Sequence, residues 1–151
     1  MVAFIVNGER REVDRADEVP LAYVLRNDLA LPGTRLACGL EQCGACLVLL
    51  DGECRYACTL PVGDCAGRAV TTVEGLADAE RLHPVQQALL DHNAAQCGYC
   101  LSGILVRASA LFEGNPHPSR DEIRAALAPQ LCRCGAQPRV LRALDALSRS
   151  G

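Results

Sequence analysis

Ten of the 151 residues are cysteines, and eight of them fall into two spaced groups. Cys38, Cys43 and Cys46 form C-x4-C-x2-C, and Cys58 follows after eleven intervening residues. Cys97 and Cys100 form C-x2-C, while Cys132 and Cys134 form C-x-C. Thiolates this close together bind soft metals and redox clusters, so metal chemistry is the first expectation.

The first group has the spacing of plant-type 2Fe-2S ligation, with a fourth cysteine that lies closer than usual. Three thiolates on one loop can wrap a small cluster only if the backbone turns sharply and approaches the inorganic sulfides. Gly39 and Gly44 supply that freedom. Loop N–H groups aimed at sulfur would stabilise negative charge and help set the reduction potential. Zinc also takes four thiolates, but structural zinc sites pair short C-x2-4-C units on separate knuckles. Three cysteines on one glycine-bearing loop fit that pattern poorly.

In the second group each pair is weak alone. Together they become a four-thiolate site if two helices, each preceded by a pair, pack side by side. Helix N-termini suit anionic thiolates because their free N–H groups and macrodipole favour negative charge. Zinc stays open for this group. A thioredoxin-like dithiol at Cys97 and Cys100 needs a βαβ setting, which the surrounding pattern lacks.

Cys54 and Cys65 are left over and read as small buried hydrophobes, although both flank Cys58. His83, His92 and His117 lack the paired spacing of metal ligands and are expected at the surface or in capping roles. Arg133, between two thiolates, either stabilises a reduced cluster or makes an ordinary salt bridge. The sequence contains no Ser-His-Asp pattern, P-loop or paired catalytic carboxylates, so substrate chemistry is expected on another chain.

The elements that must position these groups follow from periodicity. Ala3–Val6, Asn7-Gly8 and Glu9–Val13 read as strand, turn and strand, because Asn-Gly accepts positive φ. The same logic covers Cys46–Leu50, Asp51-Gly52 and Glu53–Tyr56, with a further strand over Arg68–Val73. A short helix is predicted over Pro20–Leu29, followed by an irregular cysteine loop. After Glu74-Gly75 the pattern turns helical, with helices over Leu82–His92, Leu101–Phe112, a third from the Ser119-x-x-Glu122 capping box to about Ala128, and Arg139–Leu147. Strands first and helices second predict two small domains joined near residues 74–81, an α+β chain.

A net charge of −3 with scattered arginines gives nucleic-acid binding no support. No apolar run reaches the roughly 20 residues that span a bilayer, so direct membrane insertion is not expected. Many cysteines without a secretory signal predict metal ligation in a reducing compartment, the cytoplasm, rather than a disulfide framework.

At its cysteine motifs the chain resembles the small iron–sulfur subunit of the xanthine oxidase family of molybdenum hydroxylases. The resemblance rests on Cys38-Gly39-Leu40-Glu41-Gln42-Cys43-Gly44-Ala45-Cys46, Gln96-Cys97-Gly98-Tyr99-Cys100 and Leu131-Cys132-Arg133-Cys134, and it extends over nearly the whole length. It implies a β-grasp, plant-ferredoxin-like domain over residues 1–75 and a C-terminal four-helix bundle over residues 76–151, each with one 2Fe-2S cluster. The implied ligands are Cys38, Cys43, Cys46 and Cys58 for the first cluster, and Cys97, Cys100, Cys132 and Cys134 for the second.

The resemblance also implies a large partner subunit carrying molybdopterin, with Gln96 hydrogen-bonded to the pterin and Cys134 the ligand nearest it. Electrons would pass from the molybdenum site through the second cluster to the first, then to an external acceptor, an FAD subunit or a cytochrome. The complex would oxidise an N-heterocycle or an aldehyde, and this chain would hold no catalytic residue. Leu101-Ser102 stands where Thr-Pro is usual and Gly135-Ala136 where Thr-Gly is common, departures that touch packing around the pterin and no ligand. The alternative is a free-standing two-cluster ferredoxin, monomeric and without a molybdopterin partner.

Overall fold

The computed structural model describes residues 1–150; Gly151, the last residue of the expected helical half, lies outside them. Two hairpins form most of the sheet. β1 (Val2–Val6) pairs antiparallel with β2 (Glu9–Val13), and β3 (Leu47–Leu50) pairs antiparallel with β4 (Glu53–Tyr56). Their turns carry positive φ at both residues, 51° and 84° at Asn7-Gly8 and again at Asp51-Gly52. That is the backbone twist a two-residue hairpin requires.

β5 (Ala69–Thr71) joins the hairpins, parallel to β1 and antiparallel to β3, giving the order β2-β1-β5-β3-β4. It is shorter than the expected strand over Arg68–Val73, because Val73–Gly75 folds into a 3-10 turn. β1 buries Val2, Phe4 and Val6 and leaves Ile5 exposed, so one face meets the core. β3 is buried at all four positions, the mark of a strand covered on both faces.

The predicted regular helix over Pro20–Leu29 is instead one α turn, α1 (Leu21–Tyr23), running into a π-helical turn over Val24–Asp28. The Leu29 N–H reaches the Val24 carbonyl at 3.1 Å, five residues back. The widened turn keeps Leu21, Ala22, Val24 and Leu25 in the core, while the Arg26 guanidinium donates to the carbonyls of Pro32 and Thr34 at 2.8 and 2.9 Å.

The rest of the chain is helical: α2 (Pro84–Asp91), α3 (Leu101–Gly114), α4 (Arg120–Leu127) and α5 (Gln137–Arg149). Ser119 and Glu122 close a reciprocal capping box at the start of α4. A second box, His83 with Gln86, starts α2. His is not among the usual N-cap residues, yet His83 takes the expected capping role, its ring nitrogen accepting from the Val85 N–H. α5 begins earlier and ends later than the expected span Arg139–Leu147. Val85, Leu89, Ile104, Ile123, Val140 and Leu144 form the helical core.

Sheet and helices meet along α3. Val106 is buried against Leu47 and Leu49 on the second face of β3, with Ala110 one turn further along. One turn earlier, a Cβ on Gly103 would overlap the Gly44 carbonyl, so only glycine lets the helix approach the cysteine loop this closely. Cys54 packs at the edge of this contact, where burial pushes its thiol up against the pull of Arg107 and Arg55. Cys65 is fully buried in the main sheet core, and burial raises its thiol to about 11.

Candidate metal centres

The first cysteine loop curls through positive φ at Gly39, Glu41 and Gly44, at 67°, 60° and 76°. Non-glycine Glu41 holds this rare conformation while its carboxylate accepts from the Thr59 hydroxyl. The curl aims backbone N–H groups at sulfur. Leu40 N and Gln42 N lie 3.4 and 3.3 Å from Cys38 Sγ. Those donors, with help from the neighbouring Cys43, bring the Cys38 thiol down to about 7.

Cys43, Cys46 and Cys58 are buried and Cys38 is half-buried. The thiols stand in twos, Cys38 beside Cys43 and Cys46 beside Cys58. Burial, with Cys58 and Cys43 alongside, pushes Cys46 up to about 12. A neutral thiol is the natural state of a buried sulfur with nothing positive near it, and a bound cation would reverse that.

The second group lies at the starts of two helices, with Cys97–Cys100 leading into α3 and Cys132–Cys134 leading into α5. Again the thiols stand in twos, Cys97 beside Cys134 and Cys100 beside Cys132. Burial works against the Cys132 thiolate, yet N–H groups of Ala136, Cys134 and Gly135 and the adjacent Cys100 bring its pKa down. The Tyr99 N–H lowers Cys97, and Cys97 in turn raises Cys134. Burial pushes Cys100 up to about 12. Cys97, Cys134 and Gln96 are exposed, and Gln96 lines the same crevice as the four thiols.

Backbone and side chains tie the two groups together. The Leu131 N–H donates to the Cys43 carbonyl at 3.0 Å. The Tyr99 hydroxyl donates to the Leu36 carbonyl at 2.5 Å, and the Arg35 guanidinium lies 5.6 Å from the Tyr99 ring centroid. The Gln130 side chain fills the space a Cβ on Gly44 would need.

Among the described residues no three His, Cys, Asp or Glu side chains converge as ligands of one ion, and no cysteine forms a disulfide. Four thiols in two close pairs, with N–H groups pointing at sulfur, are a donor set that fits a two-iron cluster, in which each iron takes two of the thiolates.

Residues 72–145 match the model of a [2Fe-2S] binding domain. The chain is 46% identical over 143 residues to one subunit of the nicotinate dehydrogenase of Pseudomonas putida, covering 95% of this chain and 91% of the relative. It is 42% identical to the alpha subunit of isoquinoline 1-oxidoreductase from Brevundimonas diminuta, covering 93% and 92%. Among solved structures, a chain of quinoline 2-oxidoreductase from Pseudomonas putida 86 superposes with a TM-score of 0.92 at 33% identity, covering 97% of this chain and 91% of that one.

The chain belongs to the small iron–sulfur subunits of the xanthine oxidase family of molybdenum hydroxylases.

Like the other small subunits of this family, it is a non-catalytic electron-transfer component of an oxidoreductase complex. The three histidines are held in local contacts. His83 caps α2, the His92 ring meets the Ala88 carbonyl at 3.0 Å, and the His117 ring meets the Ser148 carbonyl at 2.9 Å. Arg133 is exposed. No helix among the described residues is long and apolar enough to cross a membrane. Sequence reading of the small subunit missed Gln130, Tyr99 and Arg35, since contacts across the halves leave no local pattern.

Proposed function

We propose that this subunit holds one 2Fe-2S cluster on Cys38, Cys43, Cys46 and Cys58, and a second on Cys97, Cys100, Cys132 and Cys134. The observation that carries this reading is the gathering of the eight thiols into two quartets, each made of two close pairs. A bound cluster supplies a one-electron couple at each site. The chain supplies thiolates, sulfur-directed N–H groups and a dry setting that tune it. In domain terms, residues 1–75 act as a β-grasp ferredoxin-like unit and residues 76–151 as a four-helix-bundle unit.

Exposure supports the direction of transfer that the family resemblance implies. Cys97 and Cys134 lie at the surface beside exposed Gln96, an edge that a partner must cover if the cluster is to be kept from solvent. That edge faces the large subunit, with Gln96 placed to hydrogen-bond its molybdopterin and Cys134 nearest to it. The first quartet is mostly buried and opens to solvent through the exposed stretch Gly39–Gln42, which suits delivery to an external acceptor, an FAD subunit or a cytochrome. A reducing cytoplasm suits ten unpaired cysteines.

The substrate class of the complex is an N-heterocycle. Relatives named for nicotinate, isoquinoline and nicotine match this chain over most of both lengths. Anaerobic purification of the complex tests the reading: reduction should develop two distinct 2Fe-2S resonances in a sample that also contains a molybdopterin-bearing chain. A colourless sample, or two clusters on a monomer with no such chain, would contradict it.

A further inference from the structure

Gln130 lies between α4 and the Cys132–Cys134 pair and is 95% buried, its relative exposure being 5%. Its Nε2 is sealed from solvent and has no hydrogen-bond partner among the described residues. A buried donor left unpaired is destabilising, so the position calls for an acceptor. Nothing forces the group inward for want of room elsewhere, since its neighbours Pro129 and Leu131 are exposed.

The main chain around the carboxamide is held on both sides. The Gln130 N–H donates to the Leu127 carbonyl at 2.9 Å, and the next residue, Leu131, donates to the Cys43 carbonyl at 3.0 Å. The side chain therefore lies over Gly44, where a Cβ would meet Oε1 first and stand 2.5 Å from Nε2. Gly44 sits between Cys43 and Cys46, so the orphaned donor is delivered to the first cysteine loop. Both groups already have backbone donors, Leu40 and Gln42 at Cys38 and Ala136, Gly135 and Cys134 at Cys132, so it is the contact with Gly44 that assigns the Gln130 amide to the first.

We propose that Gln130 Nε2 donates a hydrogen bond to a sulfur of the cluster held by Cys38, Cys43, Cys46 and Cys58 and raises its reduction potential. This rests on the ligand assignment above. Cluster and thiolate sulfurs accept hydrogen bonds and cannot donate them, so the amide turns its nitrogen toward them. Reduction adds negative charge to the acceptor and strengthens the bond, which favours the reduced state. Gln130 is thereby a tuning residue, supplied by the helical half to the cluster of the other half.

The test compares wild type and Gln130→Met in the intact complex by redox titration followed by electron paramagnetic resonance. The variant should lower the potential of the first cluster, changing its reduced-to-oxidised ratio at a fixed poise by about tenfold, ~59 mV for a one-electron couple. The second cluster should not move. Unchanged potentials, or a shift confined to the second cluster, would overturn the proposal.

Should Gln130→Met fail to load iron, the contact is read without disturbing it. Pulsed resonance on protein carrying 15N in its glutamine side-chain amides, in a Gln42→Met background that removes the other glutamine near this loop, should show 15N coupled to the first reduced cluster. No such coupling would overturn the proposal. Wild type with no 2Fe-2S resonance at all would instead sink the ligand assignment beneath it.

Discussion

The backbone N–H of Leu131 donates to the carbonyl of Cys43 over 3.0 Å. This bond joins the residue before the C-x-C pair to a thiol-bearing residue of the glycine-rich loop. The two cysteine groups are thus positioned relative to each other by main chain, reinforced by Tyr99 on Leu36 and by Gly103 on Gly44. Electron transfer needs a fixed separation between centres, and this contact holds it without relying on flexible side chains.

Gly103→Ala should destabilise the protein by about 1–3 kcal/mol, because the added methyl meets a backbone carbonyl that cannot swing away. Gly114→Ala is the control. It lies at the end of the same helix in open space, so it should be neutral or slightly stabilising. Denaturant unfolding of the two variants should separate them clearly.

Val106→Ala should cost about 2 kcal/mol, two buried methyl groups plus the cavity they leave against Leu47 and Leu49. Hydrogen exchange should show the loss at β3 and α3 together. Exchange that rose in α3 alone would mean the sheet and the helices do not share this contact.

Cys43→Ser should abolish or distort the first cluster's resonance while leaving the second reducible by substrate through the partner. Cys134→Ser should instead disturb the second cluster and slow electron arrival at the first. Identical spectra for both variants and wild type would show that these thiols are not the ligands.

Ser119→Ala should weaken α4 by about 1 kcal/mol through loss of its cap. The Ser119 backbone N–H and hydroxyl hold the Glu122 carboxyl below its ordinary value of 4.5. A depressed carboxyl stabilises the fold above its unfolded pKa, and that contribution disappears as pH falls through the folded pKa. Removing the hydroxyl should move the Glu122 titration part of the way back up, measured by NMR. The stability gap between variant and wild type should narrow at acid pH.

Much of the architecture was legible because local chemistry dictated it. Asn7-Gly8 and Asp51-Gly52 specify hairpin turns, and Ser119-x-x-Glu122 specifies a helix start. The cysteine spacings point to two four-thiol sites, and in the structure Cys38 stands beside Cys43, Cys46 beside Cys58, Cys97 beside Cys134 and Cys100 beside Cys132. What stayed hidden depended on tertiary contact: the π-helical turn at Val24–Asp28 and the side of β3 that takes Val106. Gln130 is the sharpest case. In the sequence it is an ordinary polar residue after a helix-stopping proline, and only the fold buries its amide against Gly44.

Iron and acid-labile sulfide, counted per chain in anaerobically prepared protein, test the central claim most directly. Two clusters predict about four iron and about four sulfide per chain. Half those amounts, or zinc in place of iron, would contradict the account.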